Sequence, residues 1–221
     1  MKNALLIGSS GGIGTALEAA LAQRGAWVTA LSRREHGLDL TDEASIARIL
    51  GSLEGPFDTV LVATGALDLG PHRPEKALRS VTPEALAAHF ALNATGPMLI
   101  LKHALRLMPR AEPTRFAALS ARVGSIGDNG LGGWYSYRAA KAALNQLIHT
   151  AAIEVTRSHP QSVVVTLHPG TVDTSLTANH RGGHAAMPPP EAAGHLLDVL
   201  SSLTPAQSGG FFDWQGAVVP W

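Results

Sequence analysis

Residues 4–25 read ALLIGSSGGIGTALEAALAQRG, and the fold turns on this stretch. Ala4–Ile7 is an apolar run without polar alternation, as in a strand covered on both faces. Ile13, Leu17, Ala20 and Leu21 then recur at helical spacing, and Gly25 stops the helix. Between the two lie Gly8, Gly12 and Gly14, in the order GxxxGxG. Glycine there lets the backbone turn sharply and brings its N–H groups against a pyrophosphate, with the positive end of the following helix behind them. A plain tight turn also uses glycine, so the loop gains force only from its place between a strand and an amphipathic helix.

Outward from this unit the pattern repeats. AWVTALS, DTVLVATG, TRFAALSA, SVVVTLHPG and GGFFDWQG read as further strands, and the short GLDL at 37–40 as one more. Helical patterns lie between them: one from about Asp42 to Leu53, and one capped by Thr82 with Pro83 and Glu84 in its first turn. A third begins in GGWYSYRAAKAALNQL, residues 132–147. Such alternation predicts an α/β fold, a doubly wound parallel sheet with helices on both faces. One dinucleotide-binding domain over 1–221 is expected. The polar, Gly- and Pro-containing segment 174–191 reads as a lid.

The end of the second strand reads on the cofactor. An acid there would hold a ribose 2′-hydroxyl, and an arginine would accept a 2′-phosphate. The chain has Ser32 followed by Arg33 and Arg34, which favours NADP over NAD. Solvated surface arginines are the ordinary alternative.

Both tyrosines lie in the 132–147 stretch. Tyr137 and Lys141 are four residues apart and share a helix face, whereas Tyr135 lies elsewhere on the surface. A free phenol, with a pKa of about 10, exchanges its proton poorly near neutrality, and a nearby ammonium lowers that value. YxxxK alone is a weak motif. Asn93 stands four residues before Pro97 in one helical pattern. Proline has no N–H for the Asn93 carbonyl, so a kink is predicted there.

Glycine loop, YxxxK and sheet pattern together resemble the short-chain dehydrogenase/reductase family over nearly the whole chain, closest to its C-factor (C-signal) like subgroup. LDL resembles the family's adenine-contacting pair, here Asp39 and Leu40. FALNATGPMLILKHALRLM resembles its Asn-bearing helix, and PGTVDT its PGxxxT segment. The resemblance implies an NAD(P)-dependent oxidoreductase acting on a small carbonyl or alcohol. Its catalytic residues would be Tyr137, Lys141 and Asn93. Gly8, Ser10, Gly12, Ile13, Gly14, Ser32, Arg33, Asp39 and Leu40 would bind NADP (NADPH), followed by Ala63, Gly65, Pro169, Gly170, Val172 and Thr174, with Tyr137 and Lys141 at the ribose. In the family the Asn93 carbonyl holds a relay water, and the helices bearing Asn93 and Tyr137 form a dimer interface, so a homodimer or homotetramer is expected.

Two places depart from the pattern. Asn-Asn-Ala-Gly appears as Val62-Ala63-Thr64-Gly65, keeping only the last glycine. Ser-Ser-x-x-Gly appears as SARVG, residues 120–124, so the serine that bonds the substrate carbonyl is Ala121. Ser125 is the candidate to supply that hydroxyl; otherwise Tyr137 acts alone or with bound water. Few residues separate LSRR from LDL, so the helix expected there is missing or reduced to a turn.

Composition frames these readings. Lys plus Arg is 17 and Asp plus Glu is 17, which advertises neither nucleic acid nor an anionic membrane. No cysteine is present, which excludes disulfide and thiolate chemistry and fits a cytoplasmic home. No apolar run approaches the roughly 18 residues of a membrane span. His180 and His184 have HxxxH spacing without an obvious third ligand, so no metal is expected, and His180 reads as a pocket residue. The alternative to an enzyme is a cofactor-binding signalling or regulatory protein with little turnover.

Overall fold

The computed structural model describes residues 1–178, 180 and 185–221. Six strands form one parallel sheet: β1 (Asn3–Ile7), β2 (Trp27–Leu31), β3 (Thr59–Val62), β4 (Thr114–Leu119), β5 (Ser162–His168) and β6 (Phe211–Asp213). Their spatial order is β2-β1-β3-β4-β5-β6. The chain leaves β1 toward β2 and returns on its other side to β3. That reversal opens a crevice beyond the carboxyl ends of β1 and β3, where ligands of such sheets bind.

Alternation along each strand builds two cores. Leu5, Ile7, Val60, Val62, Phe116, Ala118 and Val164 face one side with α3 (Glu43–Gly51), α5 (Gly96–Ala104) and α6 (Tyr135–Ser158). Ala4, Leu6, Leu61, Ala117, Val163, Val165 and Leu167 face the other with α1 (Gly12–Gln23) and α7 (Pro189–Ser202). With both faces covered, the strands carry apolar residues at successive positions.

The region after β2 is compressed, as expected: only the four-residue α2 (Arg33–His36) stands there, capped by Ser32 Oγ. The expected GLDL strand does not form. Gly37 ends α2 in the left-handed region with φ 66°, which turns the chain. Ser45 Oγ donates to Gly37 O at 3.0 Å and accepts from Asp39 N at 3.2 Å, replacing ladder bonds. Leu38 and Leu40 are buried as core filling rather than strand residues.

Asp42 and Thr82 cap α3 and α4 (Pro83–Phe90). Between α4 and α5 the predicted break is a π-helical turn, Ala91–Thr95, with Asn93 at its centre. Such turns absorb a lost i→i−4 bond, and Pro97 withholds the one that Asn93 would receive.

Candidate functional site

The glycine loop is shaped by its neighbours. Gly8 has φ +93°, and a Cβ there would lie 2.8 Å from Thr64 Cγ2. A Cβ at Gly12 would lie 2.6 Å from Thr174 Cγ2, and one at Gly14 would run into the Gly8 carbonyl. The loop is therefore pinned between the end of β3 and the PGTVDT segment. No side chain caps the start of α1, which leaves its first N–H groups for a ligand.

Two cavities adjoin this loop. One, of about 710 Å³, is bordered by Gly8, Ser10, Ser32, Arg33, Arg34, Asp39 and Leu40. The other, of about 670 Å³, is bordered by Ile13, Tyr137, Lys141, Pro169, Gly170, Val172 and Thr174. Ala63, Thr64 and Gly65 border both. A dinucleotide fits this layout. Glycines that tolerate no side chain lie between an arginine-bordered cavity and one that holds Tyr137. Asp39 is held below its ordinary pKa by the Thr41 hydroxyl and N–H, at 2.6 and 2.9 Å.

Tyr137 and Lys141 lie in the first two turns of α6, both buried. Lys141 Nζ stands 5.8 Å from the Tyr137 ring centroid and donates to Leu119 O at 2.9 Å. Here the structure differs from the expected lowering of the phenol pKa by the ammonium. Burial pushes Tyr137 well above its ordinary value and brings Lys141 down to about 7. In the chain by itself, loss of solvation outweighs the pairing. His168, at the end of β5, is pushed down to about 4 by burial and the nearby Arg122, against the pull of Asp213.

Asn93 is fully buried behind Gly65, outside both linings. Ser125 is 1% exposed and does not border the cavity, and its Oγ accepts from Asp128 N at 3.1 Å. Ser120 borders the cavity, but its Oγ is buried without a partner among the described residues. Ala121 presents no hydroxyl to the same cavity. The remaining walls are mostly apolar, among them Leu67, Leu131, Trp134 and Leu176.

Of the residues around Tyr137, His180 was expected at the pocket, whereas Trp134, His89 and Glu75 had no signal in the sequence. Trp134 adopts the left-handed region at φ 53° and places its ring edge-to-face with Tyr137 at 6.3 Å and His180 at 5.8 Å. His180 borders the cavity and pairs with Asp68 at 3.2 Å. His184 lies outside the described residues, so the HxxxH pair is not seen whole. His89 and Glu75, neither of them a sequence candidate, sit buried beside Asn93 and Ser136. Among the described residues no helix is long and apolar enough to cross a membrane.

Comparison with known proteins agrees with this geometry. A family model described as enoyl-(acyl carrier protein) reductase matches residues 8–195. C-signal of Myxococcus xanthus is 34% identical over 168 residues, covering 76% of this chain and 94% of that protein. The 1-hydroxy-2-glutathionyl-2-methyl-3-butene dehydrogenase of Rhodococcus sp. (strain AD45) is 28% identical over 236 residues, covering 100% of both. A Burkholderia multivorans protein described as a short-chain dehydrogenase/reductase, solved with bound NADP, superposes with a TM-score of 0.81 at 25% identity. It covers 100% of this chain and 99% of its own. The chain belongs to the short-chain dehydrogenase/reductase family and is an oxidoreductase. Within the family it stands close to the C-signal-like group.

Proposed function

We propose that the chain is an NADP-dependent reductase of small carbonyl compounds, or in reverse a dehydrogenase of the matching alcohols. The observation that supports this reading is the juxtaposition of Tyr137 and Lys141 in an apolar cavity that shares Ala63–Gly65 as a wall with the glycine-loop cavity. The bound nicotinamide supplies the hydride that the carbonyl carbon accepts. The chain supplies the rest. Arg33 and Arg34 hold the 2′-phosphate, and the glycine loop and the start of α1 hold the pyrophosphate. Lys141, anchored on Leu119 O, reaches toward the ribose. Tyr137, kept as the neutral phenol by its burial, donates its proton to the substrate oxygen. Lys141, titrating near 7, replaces that proton from solvent, with Asn93 behind it.

The decisive measurement is NADPH oxidation with a panel of aldehydes, ketones and quinones. The wild type is expected to turn over at least one class. Tyr137→Phe is expected to abolish turnover while NADPH binding is retained. Tight NADPH binding without turnover across the panel would instead favour a regulatory protein, the reading to which Ala121 and the C-signal likeness lend support.

A further inference from the structure

Asn93 is fully buried, and its amide is oriented by two bonds to one residue. Asn93 Oδ1 accepts from Ala66 N at 3.0 Å, and Nδ2 donates to Ala66 O at 3.1 Å. A flipped amide would set N–H against N–H and oxygen against oxygen, so the oxygen and nitrogen positions are assigned. The second Nδ2 hydrogen faces His89 Nδ1 at 3.2 Å. An amide nitrogen only donates, so Nδ1 must accept, and the ring proton of the neutral imidazole lies on Nε2. An imidazolium would turn N–H against N–H at a residue only 1% exposed.

We propose that His89 is a positioning residue. As the neutral Nε2–H tautomer it locks Asn93 onto Ala66 and thereby sets the wall shared by the two cavities. The link to that wall is short. Ala66 follows Gly65, where a Cβ would stand 3.1 Å from Asn93 Oδ1 and 3.4 Å from Lys141 Nζ. Gly65 borders both cavities and Ala66 borders the larger. The His89 and Tyr137 rings meet edge-to-face at a centroid distance of 6.0 Å, so one side chain contacts both Asn93 and Tyr137.

The titratable groups facing His89 come from two directions. Tyr137 and Lys141 face it from α6, and Glu75, His72 and Asp68 from the segment between β3 and α4. Burial disfavours the cation most, and His72 and Lys141 add to it, while Glu75 and Asp68 pull the other way. The balance leaves His89 below the ordinary histidine value. Glu75 is already engaged by the Ser136 hydroxyl and N–H, which limits its pull.

Two measurements on the full chain test this. Nitrogen-15 NMR of histidine-labelled protein near neutral pH should show His89 with Nδ1 bare and the proton on Nε2. NADPH titration should show affinity weakened about tenfold in His89→Leu, which leaves a buried N–H without an acceptor, and restored in His89→Gln, which returns one. The wild-type affinity should fall as acid protonates His89, and that limb should vanish in His89→Gln. A residue that only filled space would change melting temperature and leave the limb in place. An Nδ1–H tautomer, or wild-type NADPH affinity in His89→Leu, overturns the assignment. The kinetic role of Asn93 rests on the reductase reading, but tautomer and NADPH binding do not. NADPH binding that follows this pattern without any carbonyl turnover sinks the reductase and keeps His89. Turnover with NADPH affinity indifferent to His89 does the reverse.

Discussion

A single methyl group at Ala121 borders the cavity beside Tyr137. A serine there would place a donor in that cavity, and Ala121→Ser is expected to raise kcat for the preferred carbonyl by about tenfold, as an added oxyanion donor does. Unchanged steady-state rates would show that the substrate oxygen lies elsewhere. Arg33 and Arg34 stand exposed on the wall of the larger cavity. Arg33→Ala should weaken NADPH binding about tenfold by titration, through loss of a charge-assisted phosphate contact, and leave NADH unchanged. The pairing of Tyr137 with Lys141 was legible as one helical turn of spacing, and both residues do border one cavity, but spacing by itself marked no site. The fate of Ser125 was not, since it depends on the N–H of Asp128 reaching its hydroxyl. His89 was less legible still: its role depends on Ala66, 27 residues from Asn93, having turned the amide.

The start of α6 shows the same division between local and distant signals. Helix content was plain from the pattern, but Trp134 offers no side-chain cap and sits in the left-handed region. The cap comes from Glu75, whose carboxylate accepts from Ser136 N at 3.2 Å and from the Ser136 hydroxyl, while its carbonyl accepts from Trp134 N at 2.6 Å. Burial pushes this carboxyl up most, yet the Ser136 bonds, its own backbone N–H and His89 together keep it below its ordinary value. Glu75→Ala should cost about 1–3 kcal/mol in urea unfolding, with Glu75→Gln costing less because one acceptor survives. A cap 61 residues away leaves no mark in the helix's own sequence. The missing strand at Gly37–Leu40 has a similar cause, because Ser45 supplies the bonds that a neighbouring strand would have made. The helix break at Asn93, by contrast, was readable from Pro97, though its π-helical form was not.

At the scale of the whole molecule, the parallel sheet followed from apolar runs bare of alternation, and its two cores fall where alternate residues point. Stability should carry the signature of Lys141. Its folded value is about 7 against 10.5 for an ordinary lysine, so between those values the unfolded chain holds a proton that the folded chain has released. Stability of the cofactor-free protein therefore rises with pH across that window, by up to about 1.4 kcal/mol per unit, and the gain is lost as pH falls to 7. Melting curves of wild type and Lys141→Met should diverge toward the alkaline end of the window; parallel curves would refute the buried, deprotonating lysine. The shared wall at Ala63–Gly65 has one more consequence. A molecule filling both cavities must cross the end of β3 and span β1, β3 and α6, so it binds the folded chain and not the unfolded one. NADPH at a hundred times its Kd would add about 2.7 kcal/mol. Digestion by a protease that cuts only the opened chain should slow accordingly, so that the lifetime of this enzyme in a cell would follow the supply of its own reductant.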